Sequence, residues 1–554
     1  MITQYGSNRS TGATRFVGQY GYDLSNNVTK VSNYADGNSL SVSYNYNTEN
    51  LPTKLTMGSS AYKYYYDSLN RPIQMSLQTG ETSVFDVSYS YRSSARNGPN
   101  ENLYTTTQIE YETIGDTSYK YQYNNNGNIT HISEKKAPST SYVLKLSYGY
   151  DSLGQVTRVN DAYMGKTILY TYDQGGNLTK QREYAYSTAG TLGTMLNQIN
   201  YTYGDSNWTD KLTNYNGQTI SYDAIGNPTT YRDNMSFSWR GRQMSSATLN
   251  GTSVTYKYNA DGLRSYKKVG SNTAIEYEYL GDKLVYENRG YYKFYYAYDA
   301  AGNLAEIKWL AGSGANNTFT FFAICNSRGD VVELRRADGT LYARYEYDAW
   351  GNPRVYDASG NLNTNPSSMA FQNPIRYRGY YYDSESGLYY LQSRYYDPQV
   401  TRYISPDTID VSALTFNVVE HKNLFSYCDN SPIYRSDEQG YVWHIIIGAA
   451  VGATIGGAAK LLSNAIDGES ITTGLVTAIF AGAASGALSA TTFGLGTIIL
   501  GNAAISMAEN AANQLLDTDV NGFHVSDMLL DGALGAFTGA LGGSGSGSKN
   551  LNQL

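Results

Sequence analysis

The sequence predicts a mainly β protein: a spiralling shell of antiparallel β-hairpin repeats, followed by a small Gly/Ala-rich α-helical segment. Three observations carry that prediction. Tyr and Gly reach 57 and 55 copies in 554 residues; a tyrosine-led turn unit recurs along the chain; and the composition changes abruptly after Tyr441. Tyrosine favours strands and glycine closes turns, so their joint excess points to sheet cut by many tight turns.

The repeat is read first, because a fixed internal period decides the architecture. Its copies begin at Tyr22-Asp23, Tyr66-Asp67, Tyr123-Asn124, Tyr150-Asp151, Tyr172-Asp173, Tyr222-Asp223, Tyr258-Asn259, Tyr298-Asp299 and Tyr347-Asp348, with weaker ones at Tyr46 and Tyr279. The unit is Y-[D/N]-x-x-G-[N/Q]-apolar, and Tyr150 and Tyr172 stand 22 residues apart, enough for one hairpin. Upstream tyrosines alternate, as in Tyr44 and Tyr46 or Tyr345 and Tyr347, which puts their rings on one sheet face. The Asp ends the strand by bonding backbone amides two residues on, Gly accepts the positive φ, and the next Asn tolerates similar geometry. An apolar residue such as Val156 or Leu178 then restarts a strand. One hairpin is unstable in water, so the repeats must stack edge to edge into a continuous coiled sheet. A propeller would need a period of about 40 residues.

Bulk charge and cysteine usage narrow the function classes. A net charge of −7 argues against a general polyanion binder, so no nucleic-acid partner is expected for the repeats. Cys325 and Cys428 read either as two buried thiols or as one disulfide. His131, His421, His444 and His524 are too scattered to ligate together, so no metal is expected, and no cofactor. The first ten residues lack the apolar core and cleavage site of a secretory signal. The repeat starts almost at once, at Tyr22, which leaves open that the chain is the back end of a longer polypeptide.

A longer signature lies downstream. It runs Ile375-Arg-Tyr-Arg-Gly-Tyr-Tyr-Tyr-Asp-Ser-Glu-Ser-Gly-Leu-Tyr-Tyr-Leu-Gln-Ser-Arg-Tyr-Tyr-Asp-Pro398, then Arg402-Tyr-Ile-Ser-Pro-Asp407, then Asn423-Leu-Phe-Ser-Tyr-Cys-Asp-Asn-Ser-Pro432, preceded by a lead-in over 326–352. With the repeat unit, these residues resemble the RHS/YD-repeat proteins: bacterial Rhs and wall-associated polymorphic toxins, insecticidal Tc-toxin C components and animal teneurins. The resemblance spans about residues 10–441 and implies a hollow shell over 1–370. It also implies an RHS-associated core over 371–441 that plugs one end, and a variable effector beyond it, held inside and often released by self-cleavage. The partners it implies are the chain's own C-terminal effector segment, an immunity protein and a secretion apparatus, with a secreted or cell-surface location.

Self-cleaving members carry an Arg, an Asp in Ser-Pro-Asp-Pro, and a second Asp in Asp-Pro-x-Gly-Leu, after which the chain is cut. By resemblance these positions correspond to Arg394, Asp407 and Asp437, and the cleaved bond to Tyr441–Val442. Two adjacent carboxylates share a proton, so one can activate water while the other protonates the leaving amine, with Arg394 biasing the pair. This sequence departs from the pattern at Thr408, Glu438 and Tyr441. Losing the two prolines removes φ rigidity from the turn that presents the bond. The alternative is that Asp407 and Asp437 are turn residues only.

After Tyr441, Gly, Ala, Ile and Leu take over. Gly448, Gly452 and Gly456, Gly482 and Gly486, and Gly535 and Gly539 recur at four-residue spacing, where helices can approach closely. No charge falls between Glu469 and Glu509, a stretch long enough to cross about 30 Å of hydrocarbon. Three readings of residues 442–542 stand: a membrane-active segment, a helical hairpin packed with the shell or effector, or a low-complexity linker. Residues 525–542 resemble the glycine-rich pre-toxin segments of polymorphic toxins, and residues 543–554 are a Gly/Ser tail. No nuclease, deaminase or transferase motif follows, so either the effector is lost or the glycine-rich helices are themselves the effector.

The leading function is therefore the encapsulating shell of a polymorphic toxin, with aspartic-type self-processing as its only enzymatic step. Its rivals are a cell-surface adhesin whose tyrosine rows stack on sugars, and a pore former acting through 442–542.

Overall fold

The computed structural model describes residues 2–8, 14–25, 27–94, 104–312, 317–407 and 423–437. The chain divides into two units, Met1–Pro406 with Asn423–Gln439, and Asp407–Lys422 with Gly440–Leu554. Of the second unit only Asp407 is among the described residues, so the helical, membrane and tail expectations for 442–554 lie outside them.

The strands described in the first unit pair antiparallel. An 18-stranded sheet runs from Ile2–Asn8 to Gln218–Thr219 and a 14-stranded sheet from Ser221–Tyr222 to Pro353–Asp357. Each strand pairs with its neighbours in chain order, as Lys166–Tyr172 does with Val156–Asp161 and Leu178–Ala185. This is the predicted stacking of hairpins. A separate 4-stranded sheet, Tyr381–Asp383, Leu388–Tyr390, Tyr395–Asp397 and Arg402–Tyr403, forms the centre of the core segment.

The turns explain their own sequence. Asp223 Oδ1 accepts from the amides of Ile225 (3.0 Å) and Asn227 (2.9 Å), and Gly226 between them has φ +86°. Asn50 and Asn70 replace that glycine and also take positive φ, 60° and 62°. The expected left-handed geometry of the following Asn is corrected. Asn177, Asn227, Asn303 and Asn352 have no positive φ and instead donate back to the second oxygen of Asp173, Asp223, Asp299 and Asp348 at 2.7–3.1 Å.

The tyrosine that opens each unit does more than pack. Tyr66 Oη donates to the Pro52 carbonyl (2.7 Å), Tyr150 to Ile129 (2.6 Å), Tyr172 to Val156 (2.8 Å), Tyr298 to Leu284 (2.7 Å) and Tyr347 to Val331 (2.8 Å). Each acceptor is the first or second residue of the strand that follows the preceding turn, so each repeat is tied to the one before it. Where tyrosine is replaced the tie survives, through Trp239 Nε1 to Pro228 (2.6 Å) and Cys325 Sγ to Leu304 (3.7 Å).

Two hydrophobic cores result. In one, strands between Val28 and Ile114 pack against the second sheet. Tyr62 Oη there reaches the carbonyls of Ala305 (3.1 Å) and Ala323 (2.7 Å), and Tyr295 Oη that of Ala35 (2.6 Å). The other core gathers later repeats around the core segment, with Trp350 at the tip of its turn fully buried. Cys325 and Cys428 are both free thiols, the first half-buried and the second buried.

Candidate functional site

The core segment is fastened to the repeats by buried charge. Arg264 grips Asp383 with two bonds, Nη1 to Oδ2 at 2.6 Å and Nη2 to Oδ1 at 3.0 Å, while Lys267 Nζ reaches Oδ1 at 2.7 Å. The Arg264 guanidinium lies 4.4 Å from the Tyr390 ring centre and 4.8 Å from that of Tyr381. Burial alone would push Asp383 up, but Arg264 and Lys267 together hold its carboxyl below the usual range. A second fork joins Arg232 to Asp397 at 2.7 and 3.1 Å. Segment 423–437 sits on the repeat turns, Asn423 Nδ2 donating to Asn177 Oδ1 (2.6 Å) and Asn430 Nδ2 to the Gly176 carbonyl (2.7 Å).

That framework places Arg394 and Asp437. Arg394 closes the tight turn after Leu388–Tyr390, where its carbonyl accepts from the Leu391 amide (2.9 Å) and Gln392 takes φ 63°. The Gln392 side chain holds the turn to the Asp282 carbonyl at 2.8 Å. Arg394 Nη1 donates to the Leu424 carbonyl (3.2 Å) and Nη2 to Asp437 Oδ2 (3.3 Å), with both side chains only 3% exposed.

Tyrosines complete the surroundings. Tyr403 sits face-on to Arg394, 3.6 Å from guanidinium carbon to ring centre, and its hydroxyl donates to the same Asp437 Oδ2 at 2.6 Å. The Asp437 amide donates to Tyr380 Oη (3.0 Å), which is 3.0 Å from Tyr427 Oη. Burial, then the Asp437 charge, pushes the Tyr403 hydroxyl well up, so it stays a donor across the working pH range. Burial and the same charge also raise the Cys428 thiol, which removes it as a nucleophile. Asp437 Oδ1 is buried and makes no hydrogen bond among the described residues.

Of the five residues singled out in the sequence, the structure joins Arg394 and Asp437. Asp407 is buried, 1% exposed, directly after Pro406, whose carbonyl accepts from Arg242 Nη1 at 2.9 Å. Tyr441 and Val442 lie outside the described residues. Tyr403, Tyr380 and Tyr427 were not singled out, although all three stand within the quoted core strings; among so many tyrosines nothing in the sequence distinguishes them. Among the described residues no three His, Cys, Asp or Glu side chains converge as a metal would require.

Comparison with known proteins follows the same lines. The teneurin YD-shell family profile matches residues 75–433, well over half of the chain. The tRNA nuclease WapA of Bacillus subtilis (strain 168) is 30% identical over 295 residues, 51% of this chain and 11% of that protein. The double-stranded DNA deaminase toxin A of Burkholderia cenocepacia (strain H111) is 24% identical over 343 residues, 54% of this chain and 23% of that one. The crystal structure of TcdB2-TccC3-TEV superposes with a TM-score of 0.53 at 18% identity, covering 79% of this chain and 21% of that one, a likeness of fold. The chain thus spans between about a tenth and a quarter of the length of these curated relatives.

Proposed function

The chain belongs to the teneurin YD-shell family, and from that premise we propose that it is the encapsulating shell of a toxin-type delivery protein. Residues 371–441 plug the shell, and the segment beyond Tyr441 is its cargo, freed by hydrolysis of the Tyr441–Val442 bond. Relatives named as a tRNA nuclease and a DNA deaminase toxin support the toxin context. A secreted or cell-surface location fits it, with an immunity protein and a secretion apparatus as partners and the membrane as a contact for 442–542.

One observation carries the processing step: a buried arginine–carboxylate pair, Arg394 with Asp437, held four residues before the scissile bond by a plug that is itself locked to the repeats. A water molecule adds to the Tyr441 carbonyl carbon as ionised Asp437 takes one of its protons. Asp407 acts as the acid that gives a proton to the Val442 nitrogen as the C–N bond breaks. Arg394 donates to Asp437 and holds its carboxyl in place.

The test is expression of the full chain. Processing releases a C-terminal piece of roughly 110 residues, about 12 kDa, whose N-terminus begins Val442-Trp443. Asp407→Asn and Asp437→Asn each abolish it. A single intact band in all three proteins overturns the processing reading.

A further inference from the structure

We propose that Tyr403 is a positioning residue of this site: with Arg394 it saturates one oxygen of Asp437 and leaves the other as the proton-accepting atom. The inference rests on the processing reading and assigns the division of labour within the Asp437 carboxylate.

A carboxylate has two oxygens, and in a water-excluded site each must find donors or stay uncompensated. Asp437 Oδ2 receives two donors, the Tyr403 hydroxyl at 2.6 Å and Arg394 Nη2 at 3.3 Å. Oδ1, equally buried, receives none among the described residues. The carboxylate is therefore asymmetric before any substrate water arrives: Oδ2 is the anchored atom, and Oδ1 is the atom with lone pairs free to take a proton.

Tyr403 is built for that duty rather than for proton transfer. It lies on the short strand Arg402–Tyr403, its amide held by the Phe425 carbonyl at 3.0 Å and its side chain fully buried. Its ring backs Arg394 at 3.6 Å, which fixes the second donor through the same side chain. Among the described residues, the groups that face Asp437 from the elements packed on it are Arg394, Tyr403, Tyr380 and Cys428. Of these four Arg394 is the charged one, because burial keeps the tyrosines and the thiol protonated. Losing the Tyr403 hydroxyl therefore removes one of the two donors to Asp437 Oδ2 and leaves Arg394 to hold that oxygen alone.

The experiment is the pH profile of fragment release from the full chain, comparing the native protein with Tyr403→Phe and Tyr380→Phe. Tyr403→Phe keeps the ring over Arg394, and its fold is checked by thermal unfolding beside the native chain. The expected result is an acidic limb moved up by about one pH unit, with release slowed roughly tenfold below the limb and recovered largely above it. Tyr380→Phe, which loses the acceptor of the Asp437 amide and the contact with the Tyr427 hydroxyl but no donor to the Asp437 carboxylate, slows release without moving the limb. A folded Tyr403→Phe whose limb coincides with the native one overturns the assignment and leaves the processing reading standing. An intact native chain at every pH overturns both.

Discussion

The hydroxyl of Tyr150 donates to the carbonyl oxygen of Ile129 at 2.6 Å, and this tie explains why the repeat is written with tyrosine rather than phenylalanine. Strand pairing alone joins neighbours along the ladder. The hydroxyl adds a bond from the end of one hairpin to the start of the hairpin before it, at the point where each turn would otherwise let the wall splay. Tyr150→Phe keeps the ring and removes the bond. It should lower stability by about 1 kcal/mol, read from the urea midpoint. Tyr65→Phe, at an exposed ring in the same kind of strand, should fall within about 0.5 kcal/mol of the native protein. Equal losses at both sites would refute the tie as a stabilising device.

The turn glycine can be tested apart from any steric clash. Gly154 has φ +80°, and a Cβ built there meets only Asn128 Nδ2, at an ordinary 3.7 Å. Gly154→Ala therefore reports backbone strain alone and should cost about 1–2 kcal/mol in unfolding free energy. Asn70, which already stands in that geometry at φ 62°, should gain a few tenths of a kcal/mol on change to Gly. A tolerated alanine at 154 would mean that the turn relaxes to another type.

The lock between repeat and core segment has a signed pH dependence. Asp383 is held below the usual carboxylate range, so its contribution is present above the unfolded value near 4 and is lost as pH falls through the lower folded value. Acid unfolding of the native chain should therefore include a step below pH 4 that is missing in Asp383→Asn. At neutral pH that variant leaves Arg264 with no carboxylate in its fork, and should be less stable by about 3–5 kcal/mol. An unchanged melting temperature at pH 7 would show that the pair is dispensable.

The hairpin array could be read from Tyr150, Asp151, Gly154 and Val156 because each acts within a few residues of itself: strand, turn and restart are local chemistry. The same locality hid the rest. Asn177 after its glycine looked like a second turn-former, yet its side chain serves Asp173 and Asn423, the latter far along the chain. Arg264 and Asp383 carry no signal that they meet, since 119 residues separate them. Arg394 and Asp437 were found only because the core resembles a known family; Tyr403, which holds Asp437, was lost among 57 tyrosines. Composition and period specify the wall, and long-range partnering builds the site.

A buried carboxyl in the second sheet gives the opposite sign of pH dependence. Glu306 lies on Leu304–Ala311, and its Oε2 makes no hydrogen bond among the described residues. Burial pushes its pKa from the usual 4.5 to about 7, with Lys308 offsetting only part of the rise. A folded value above the unfolded one means that the protonated carboxyl favours the fold. The contribution is present below about pH 4.5 and disappears as pH rises through about 7, a span of roughly 3 kcal/mol. Glu306→Gln mimics the protonated form at every pH. It should match the native protein within about 1 kcal/mol at pH 5 and exceed it by about 2–3 kcal/mol at pH 8, by chemical denaturation at both values. The same difference at both pH values would mean that Glu306 is ionised in the folded chain and that its charge finds compensation in the wall.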